Sequence, residues 1–421
     1  MKLKSVWLLC LLFIYADNPD VIYDESRVPD YTLPDPLVCL DGSRVTTVQD
    51  WETKRRPEIL NLFTEQVYGK APQAKGTLRY KVLEQSKAAL NGKAERKQVR
   101  IFFSPDEQPY MDLLVYKPLN TTAPLAGFVG TNFGGNQTVV NDPAIFITES
   151  WIMNNENLGI ENHRATEATR GTATGRWPVE TIIDRGYFVA TYYYGDVDPD
   201  FDDFSNGIHP LFYKDGQTQP APDEWGSIAA WAWGLSRAYD YLARNEDHID
   251  STRIVVLGHS RLGKTAVWAG AADPRFAAVI SNNSGCGGAA LSRRHFGETV
   301  KRINTVFPHW FCDNFNSYND NEGALPVDQH ELIALIAPRP VYIASAVEDR
   351  WADPKGEFLS GKFASPVYQL YGLDGLAADE QPPIEQPVTS IIGYHIRNGK
   401  HNITQYDWER YLDFIDKYLA N

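Results

Sequence analysis

The sequence predicts an α/β fold in which a mostly parallel central sheet is covered by helices on both faces. Two observations carry this prediction. Short β-branched or aromatic runs alternate with helical stretches along most of the chain, and these runs are apolar almost throughout. Strands that crossover helices bury on both faces have this near-continuous apolar composition, whereas half-exposed strands alternate between apolar and polar residues.

Eight apolar runs are the candidate strands, and the clearest helix extends from about residue 224 to residue 244. We expect Asp223 to cap the N-terminus of this helix, because an Asp side chain accepts hydrogen bonds from the first helical turn. The candidate strands are 98–103, 113–117, 126–131, 188–194, 253–257, 277–281, 341–345 and 391–396.

The N-terminus has the pattern of a signal peptide. Lys2 and Lys4 precede an apolar run over 6–16, and the chain turns polar at Asp17. The run is too short to span a bilayer, although a buried N-terminal strand remains the alternative. We therefore expect residues 1–16 to be a signal peptide, residues 17–421 to form a single catalytic domain, and the protein to be secreted or periplasmic.

Three further segments are predicted to be irregular. Residues 20–75 are rich in Pro, Asp and Tyr, and we expect them to wrap the surface before the core begins. Two long segments, 148–176 and 196–222, each follow a strand. Because ligands bind at the strand ends of open α/β sheets, we interpret both as insertions at the rim of a binding cleft.

Composition and cysteine usage exclude several classes of partner. The net charge of −14 disfavours nucleic acid and anionic membranes, which would repel an acidic surface, and favours a neutral substrate. No Cys-x-x-Cys pair or zinc-ligand spacing occurs, so we expect no cofactor and no metal. Besides Cys10 the chain has Cys39, Cys286 and Cys312, of which the last two are the likelier disulfide pair.

Residues 253–266 contain the sharpest chemical signal, a serine at a strand-to-helix junction. A buried run ends at Gly258, Ser260 follows, and a helix begins at once. A sharp turn of this kind lifts a nucleophilic hydroxyl above the sheet in α/β-hydrolases. Leu262 stands where the second glycine of the usual pattern is expected, with Gly263 after it. The alternative is that Ser260 only caps the helix.

The order of later residues supports the nucleophile. In α/β-hydrolases the acid and then the histidine follow the serine along the chain. His401 lies in a polar turn just beyond the last predicted strand, whereas His395 falls within that strand and is predicted to be packed. Asp349 follows the strand at 341–345 and is the candidate acid, with Glu348 and Asp353 as rivals.

Several longer motifs resemble the glucuronoyl esterases of carbohydrate esterase family 15, over roughly residues 50 to 420. The family places its glycine one position later than the general pattern, as here. The matching stretches are GHSRLGK at 258–264, SNNSGCGG at 281–288, LSRR at 291–294, FGE at 296–298, HWFCDNF at 309–315, APRP at 337–340, EDRWADP at 348–354 and GKH at 399–401.

The resemblance implies an α/β-hydrolase fold and hydrolysis of the ester between 4-O-methyl-glucuronic acid of glucuronoxylan and a lignin alcohol. It assigns the nucleophile to Ser260, the base to His401 and the oxyanion contact to Arg261. Many fungal members carry a glutamate where this chain has Asn283, so the bacterial-type position of the acid, Asp349, is implied instead.

By the same resemblance, Lys264, Glu298 and Trp351 contact the sugar. The alternatives are an acetyl-xylan or general carboxylesterase with the same triad, and a non-catalytic carbohydrate-binding protein. The implied partner is a lignin–carbohydrate ester, with no nucleic acid and no membrane after removal of the signal peptide, and we expect a monomer.

Overall fold

A computed structural model describes residues 21–73, 78–119, 121 and 123–419. The predicted signal peptide, residues 1–16, lies outside these ranges, and the division into signal peptide and single domain stays a prediction. Within the described ranges, no helix has the length and apolar composition needed to cross a membrane.

The predicted α/β-hydrolase architecture is confirmed. One sheet of ten strands runs in the order β1-β2-β3-β7-β4-β8-β9-β10-β12-β11, and β5 and β6 form a separate hairpin. The six strands from β7 to β12 in this order are parallel, while β1, β2, β3 and β11 are antiparallel to their neighbours. The strands are β1 Arg79–Ala88, β2 Ala94–Phe102, β3 Tyr110–Pro118, β4 Leu125–Asn132, β5 Ile160–Glu161, β6 Arg164–Ala165, β7 Phe188–Tyr193, β8 Ile249–His259, β9 Ala278–Asn282, β10 Val341–Ala346, β11 Val388–Thr389 and β12 Ile392–Arg397.

Helices connect the parallel strands and cover both faces of the sheet. The buried apolar residues form two large clusters, one on each face. All eight predicted strands are present within a few residues of their expected bounds. The α-helices are α1 Val48–Asp50, α2 Arg56–Phe63, α3 Ala89–Gly92, α4 Val179–Asp184, α5 Ser227–Asn245, α6 Arg261–Ala272, α7 Val300–Val306, α8 Gln329–Ala334, α9 Pro354–Leu370 and α10 Gln405–Leu419.

The predicted start of the long helix α5 is wrong. Its N-cap is Gly226, and Asp223 instead pairs with Lys70 at 2.8 Å. The amides of Ser227 and Ile228 donate to backbone carbonyls of the 309–310 segment, 2.8 and 3.1 Å away. A neighbouring backbone therefore satisfies donors that a capping side chain usually satisfies, and an Asp cap is not needed.

The expectation that residues 20–75 only wrap the surface is also wrong. A continuous helical segment from Val48 to Tyr68 includes α1, α2 and two π-helical turns. Trp51, Phe63 and Tyr68 are fully buried in the core, and Tyr68 stacks on Trp268 of α6 with ring centroids 4.3 Å apart. Helical spacing collects these apolar residues on one face, which the overall composition of the segment conceals.

The predicted pairing of Cys286 with Cys312 is wrong as well. Cys39, Cys286 and Cys312 are all free and buried. The Cys312 thiol contacts the backbone oxygen of Glu65 at 3.8 Å, and the Cys286 carbonyl accepts from Lys264. Proximity in a loop-rich stretch of sequence did not bring the two sulfur atoms together.

Candidate active site

Ser260 sits in a strained turn between β8 and α6, with φ 60° and ψ −131°. A Cβ atom at Gly258 would lie 1.9 Å from the carbonyl oxygen of Leu262, so only glycine allows the turn to close there. At Gly263 a Cβ atom would lie 3.0 Å from that of Ser284. Leu262 itself is buried in the core, and the close approach that favours glycine falls at the following position.

The three residues predicted to form a triad lie in hydrogen-bond contact. Nε2 of His401 is 2.8 Å from Oγ of Ser260, and Nδ1 of His401 is 2.6 Å from Oδ2 of Asp349. Asp349 is buried, with its side chain 0% exposed, whereas the His401 side chain is 33% exposed. The Ser260 side chain makes no capping hydrogen bond to α6. This arrangement suits a serine whose proton is taken by an oriented imidazole.

Asp353 and Glu348, the two other candidates for the acid, have different surroundings from Asp349. Asp353 caps α9 by accepting from the Gly356 amide at 2.9 Å, and it pairs with Arg294 at 2.8 Å. Glu348 is exposed. Asp349 is thus the acid that contacts the imidazole.

Asn283 also contacts the acid, which the sequence did not reveal. Its Nδ2 donates to Oδ2 of Asp349 at 2.8 Å, beside the contact from His401. Its backbone is left-handed, with φ 46°, and its amide N–H donates to the Ala344 carbonyl of β10 at 2.7 Å. Asn283 therefore supplies a second hydrogen-bond donor to the carboxylate that contacts His401.

The loop that carries His401 is held by a buried arginine. The guanidinium of Arg397 donates to the backbone carbonyls of Asn398, Lys400 and Asn402 at 2.6–3.0 Å. Its Nε donates to Asp407 of α10 at 2.8 Å. One side chain thus fixes three carbonyls around the proposed base.

Two further histidines lie close to the site, and both are buried. His259 packs against His401 with ring centroids 4.6 Å apart, and its Nδ1 lies 2.6 Å from Oδ1 of Asn282. Burial, with His401 nearby, holds the pKa of His259 well below its usual value. His395 is fully buried against Asp407 at 2.9 Å, which confirms its predicted packed role. Neither ring competes with His401 for the serine proton.

Arg261 opens α6 directly after the serine, so its backbone N–H belongs to a first turn that has no intrahelical acceptor. Its guanidinium lies 4.8 Å from the ring centroid of Trp310, with Phe307 and Phe133 at 5.5 and 5.9 Å. It forms an ion pair with the buried Asp200. Burial alone would raise the pKa of Asp200 and lower that of Arg261, but their attraction reverses both shifts. The site therefore holds a permanent cation next to Ser260.

A cleft that is partly open to solvent lies in front of Ser260. Its lining combines polar residues around Lys264 and Glu298, here called the polar wall, with the apolar side chains of Val306, Phe307 and Trp310, here called the apolar wall. All of the residues predicted to contact substrate line it. The lining is Ser260, Arg261, Lys264, Asn283, Ser284, Gly285, Glu298, Arg302, Val306, Phe307, Trp310, Trp351, Ala352 and His401.

The three N–H donors of Lys264 already have protein partners. Nζ donates to the carbonyls of Ser284 and Cys286 at 2.8 and 2.5 Å, and to Oε2 of Glu298 at 3.0 Å. The Glu298 amide donates to the Trp351 carbonyl at 3.0 Å. Lys264 thus joins Glu298 to the backbone of Ser284 and Cys286, and both Lys264 and Glu298 line the cleft.

The two long insertions contact residues of the site but do not line the cleft. Among the described residues, neither 148–176 nor 196–222 supplies a side chain to the cleft wall. Asp200 of the second segment contacts Arg261, and Arg176 of the first donates to Asn402, next to His401, at 2.8 Å. Among the described residues there is also no cluster of three or more His, Cys, Asp or Glu arranged to hold a metal ion.

Comparison with known proteins gives a consistent set of relatives. A model of fungal glucuronyl esterases matches residues 177–372. Carbohydrate esterase MZ0003 from an unknown prokaryotic organism is 53% identical over 97% of this chain and 94% of its own. A solved glucuronoyl esterase from Solibacter usitatus is 49% identical, with a TM-score of 0.89, over 94% of this chain and 100% of that one. The 4-O-methyl-glucuronoyl methylesterase 1 of Wolfiporia cocos is 33% identical over 83% of this chain and 75% of its own.

Proposed function

The chain belongs to the glucuronoyl esterases of carbohydrate esterase family 15, which are carboxylic ester hydrolases, and we propose that it cleaves esters of 4-O-methyl-glucuronic acid on glucuronoxylan with lignin alcohols. The observation that carries this proposal is the hydrogen-bonded set of Ser260, His401 and Asp349 at a cleft that Arg261, Lys264 and Glu298 also line. We also propose that the enzyme acts outside the cytoplasm, as its N-terminal sequence predicts, and as a monomer.

In the proposed reaction, Ser260 Oγ attacks the ester carbonyl while His401 Nε2 takes its proton. Asp349 holds the Nδ1–H tautomer and stabilises the imidazolium that forms. The negative oxygen of the tetrahedral intermediate lies against the Arg261 amide and guanidinium, where a fixed positive charge lowers the barrier. The imidazolium returns its proton to the departing alcohol. Water then attacks the acyl-enzyme while His401 takes a proton from it, and the imidazolium returns that proton to Ser260 Oγ as the acid leaves.

The sugar is proposed to bind the polar wall. Glu298 accepts from a sugar hydroxyl, Lys264 orients that carboxylate through their ion pair, and Trp351 packs against a face of the ring. The apolar wall of Val306, Phe307 and Trp310 suits an alcohol with an aromatic or aliphatic body, because burying such surface contributes about 25 cal/mol per Å².

Hydrolysis of benzyl glucuronate, measured beside acetylated xylan, tests the proposal. We expect the wild type to release benzyl alcohol and the Ser260→Ala variant to release none. Acetate release with an intact glucuronate ester would assign the chain to acetyl-xylan or general carboxylester hydrolysis instead. No turnover of either, with no labelling of Ser260 by a fluorophosphonate, would favour a carbohydrate-binding protein.

A further inference from the structure

Asp200 lies in the 196–222 insertion with both carboxylate oxygens fully engaged. Oδ1 accepts from His309 Nε2 at 2.9 Å and from Trp310 Nε1 at 2.8 Å. Oδ2 accepts from the Tyr194 hydroxyl at 2.7 Å and forms the ion pair with Arg261. The side chain is 2% exposed and does not line the cleft, so it cannot touch a substrate directly.

Arg261 depends on this carboxylate for its orientation. Within the part of the chain that the structure describes, Asp200 is the one carboxylate in ion-pair distance of its guanidinium. The rings around it attract the cation but do not fix the direction of its N–H groups, because a ring face presents no discrete acceptor. A carboxylate held by three other donors does fix that direction. With Nη1 engaged by Asp200, Arg261 still lines the cleft next to Ser260.

We propose that Asp200 is a positioning residue that holds the Arg261 guanidinium ready for the oxyanion, so that the insertion at 196–222 contributes to the rate of the chemical step. The inference rests on the proposed role of Arg261 in ester hydrolysis. A preorganised donor lowers the barrier because no reorganisation is needed as charge develops. A guanidinium without this partner would lose its fixed direction and turn toward solvent, since a quarter of the side chain is already exposed.

The test compares Asp200→Asn with Asp198→Asn. Asp198 lies in the same insertion, is equally buried, and contacts Ser227 and His209 rather than Arg261. Two rates are measured: kcat on benzyl glucuronate and phosphonylation of Ser260 by a fluorophosphonate, which needs the same oxyanion contact whatever the native ester is. Both rates are normalised to folded protein, and melting temperatures are recorded.

For Asp200→Asn we expect both rates to fall by about 10- to 100-fold with KM changed little, since loss of one oxyanion donor costs about 100- to 1,000-fold in other enzymes. Arg261→Ala should lower both rates at least as far, and the double variant should fall no further than Arg261→Ala alone. Asp198→Asn should lower the melting temperature and leave the normalised phosphonylation rate unchanged.

Independent losses in the double variant, or an unchanged phosphonylation rate in Asp200→Asn, would overturn the inference. If Asp200→Asn does not fold, His309→Phe removes one donor to Asp200 and keeps its charge. It should lower both rates in the wild-type background and neither in Arg261→Ala, and an equal loss in both backgrounds would overturn the inference. If the wild type is phosphonylated but leaves benzyl glucuronate intact, the proposed function is contradicted. The phosphonylation rates of the variants would still test the role of Asp200.

Discussion

The side-chain amide of Asn283 and the imidazole of His401 donate to the same oxygen of Asp349, at 2.8 and 2.6 Å. The two donors hold this oxygen between the imidazole and the Asn283 amide. Asn283 cannot ionise, so the site keeps a single negative charge beside the imidazole. A second carboxylate at that position would repel the first and raise the pKa of one of them. Of the three candidate acids, Asp349 is thus the one that contacts His401, and Asn283 supports it.

Asp349→Asn should lower kcat by about 10⁴-fold, as loss of the triad carboxylate does elsewhere, because the neutral amide no longer selects the Nδ1–H tautomer. The measurement is steady-state hydrolysis of benzyl glucuronate. Glu348→Gln is the matched control, since Glu348 is the exposed neighbour of Asp349 and should leave kcat within a factor of two or so. Comparable losses in the two variants would show that Asp349 does not act as the triad acid.

Glu298→Gln should raise KM for benzyl glucuronate by about tenfold with a smaller change in kcat, because a hydrogen bond to a charged group contributes about 1.5–3 kcal/mol. The same variant should hydrolyse p-nitrophenyl acetate at the wild-type rate, since acetate has no sugar to reach the polar wall. Kinetics on both esters check this. An equal loss on both would mean that Glu298 supports the fold of the cleft rather than sugar binding.

Arg397→Lys should reduce kcat by about tenfold or more with KM little changed, because one ammonium cannot replace a rigid fork of donors to three carbonyls and a carboxylate. The loop would then hold His401 less closely over Ser260. Lys400→Ala is the control, since Lys400 is exposed in the same loop. Equal kcat values for the two variants would exclude a role of Arg397 in placing the base.

The sequence predicted the parallel part of the fold well because its strands are buried on both faces and are apolar without interruption. It missed the edge strand β1, whose side chains are mostly exposed and polar, and the two-residue strand β11. Local patterns also misplaced the start of α5, since the carbonyls that satisfy its first amides come from a segment about 80 residues further along the chain. Such long-range backbone contacts leave no local signature.

The order of Ser260, Asp349 and His401 along the chain correctly predicted that they lie together, because this fold places the ends of successive parallel strands at one edge of the sheet. The residues that hold them were not predicted. Asp200 was one Asp in an acidic run, and Arg397 was one cation in a polar turn. Their roles depend on which partner each meets in the folded chain. A buried charge with several partners becomes recognisable only once those partners are placed.

The buried carboxyl group of Glu357, beside the cleft residues Ser284 and Gly285, makes the stability of the protein depend on pH. Its Oε1 accepts from the amides of Ser284 and Gly285 at 2.7 and 3.0 Å, and Oε2 accepts from Ser345 Oγ at 2.6 Å. Burial, above all, raises the pKa of Glu357 from 4.5 to about 8. The folded protein thus keeps this proton up to about pH 8, while the unfolded chain loses it near pH 4.5. Between those values the unfolded state binds fewer protons, so this group makes folding less favourable as the pH rises.

Glu357→Gln cannot titrate and keeps nearly the same shape, so its stability relative to the wild type should grow between pH 5 and pH 8.5. The gain should reach on the order of 3 kcal/mol, since each unit of pKa shift corresponds to about 1.4 kcal/mol. Urea unfolding of both proteins at pH 5, 6.5 and 8.5 measures it. Ser345→Ala, which removes one donor but leaves the carboxyl group, should be less stable throughout and keep the wild-type dependence on pH. Wild-type and Glu357→Gln curves that stay parallel over this range would mean that Glu357 is already ionised in the folded protein at pH 5, its charge held by the donors from Ser284, Gly285 and Ser345.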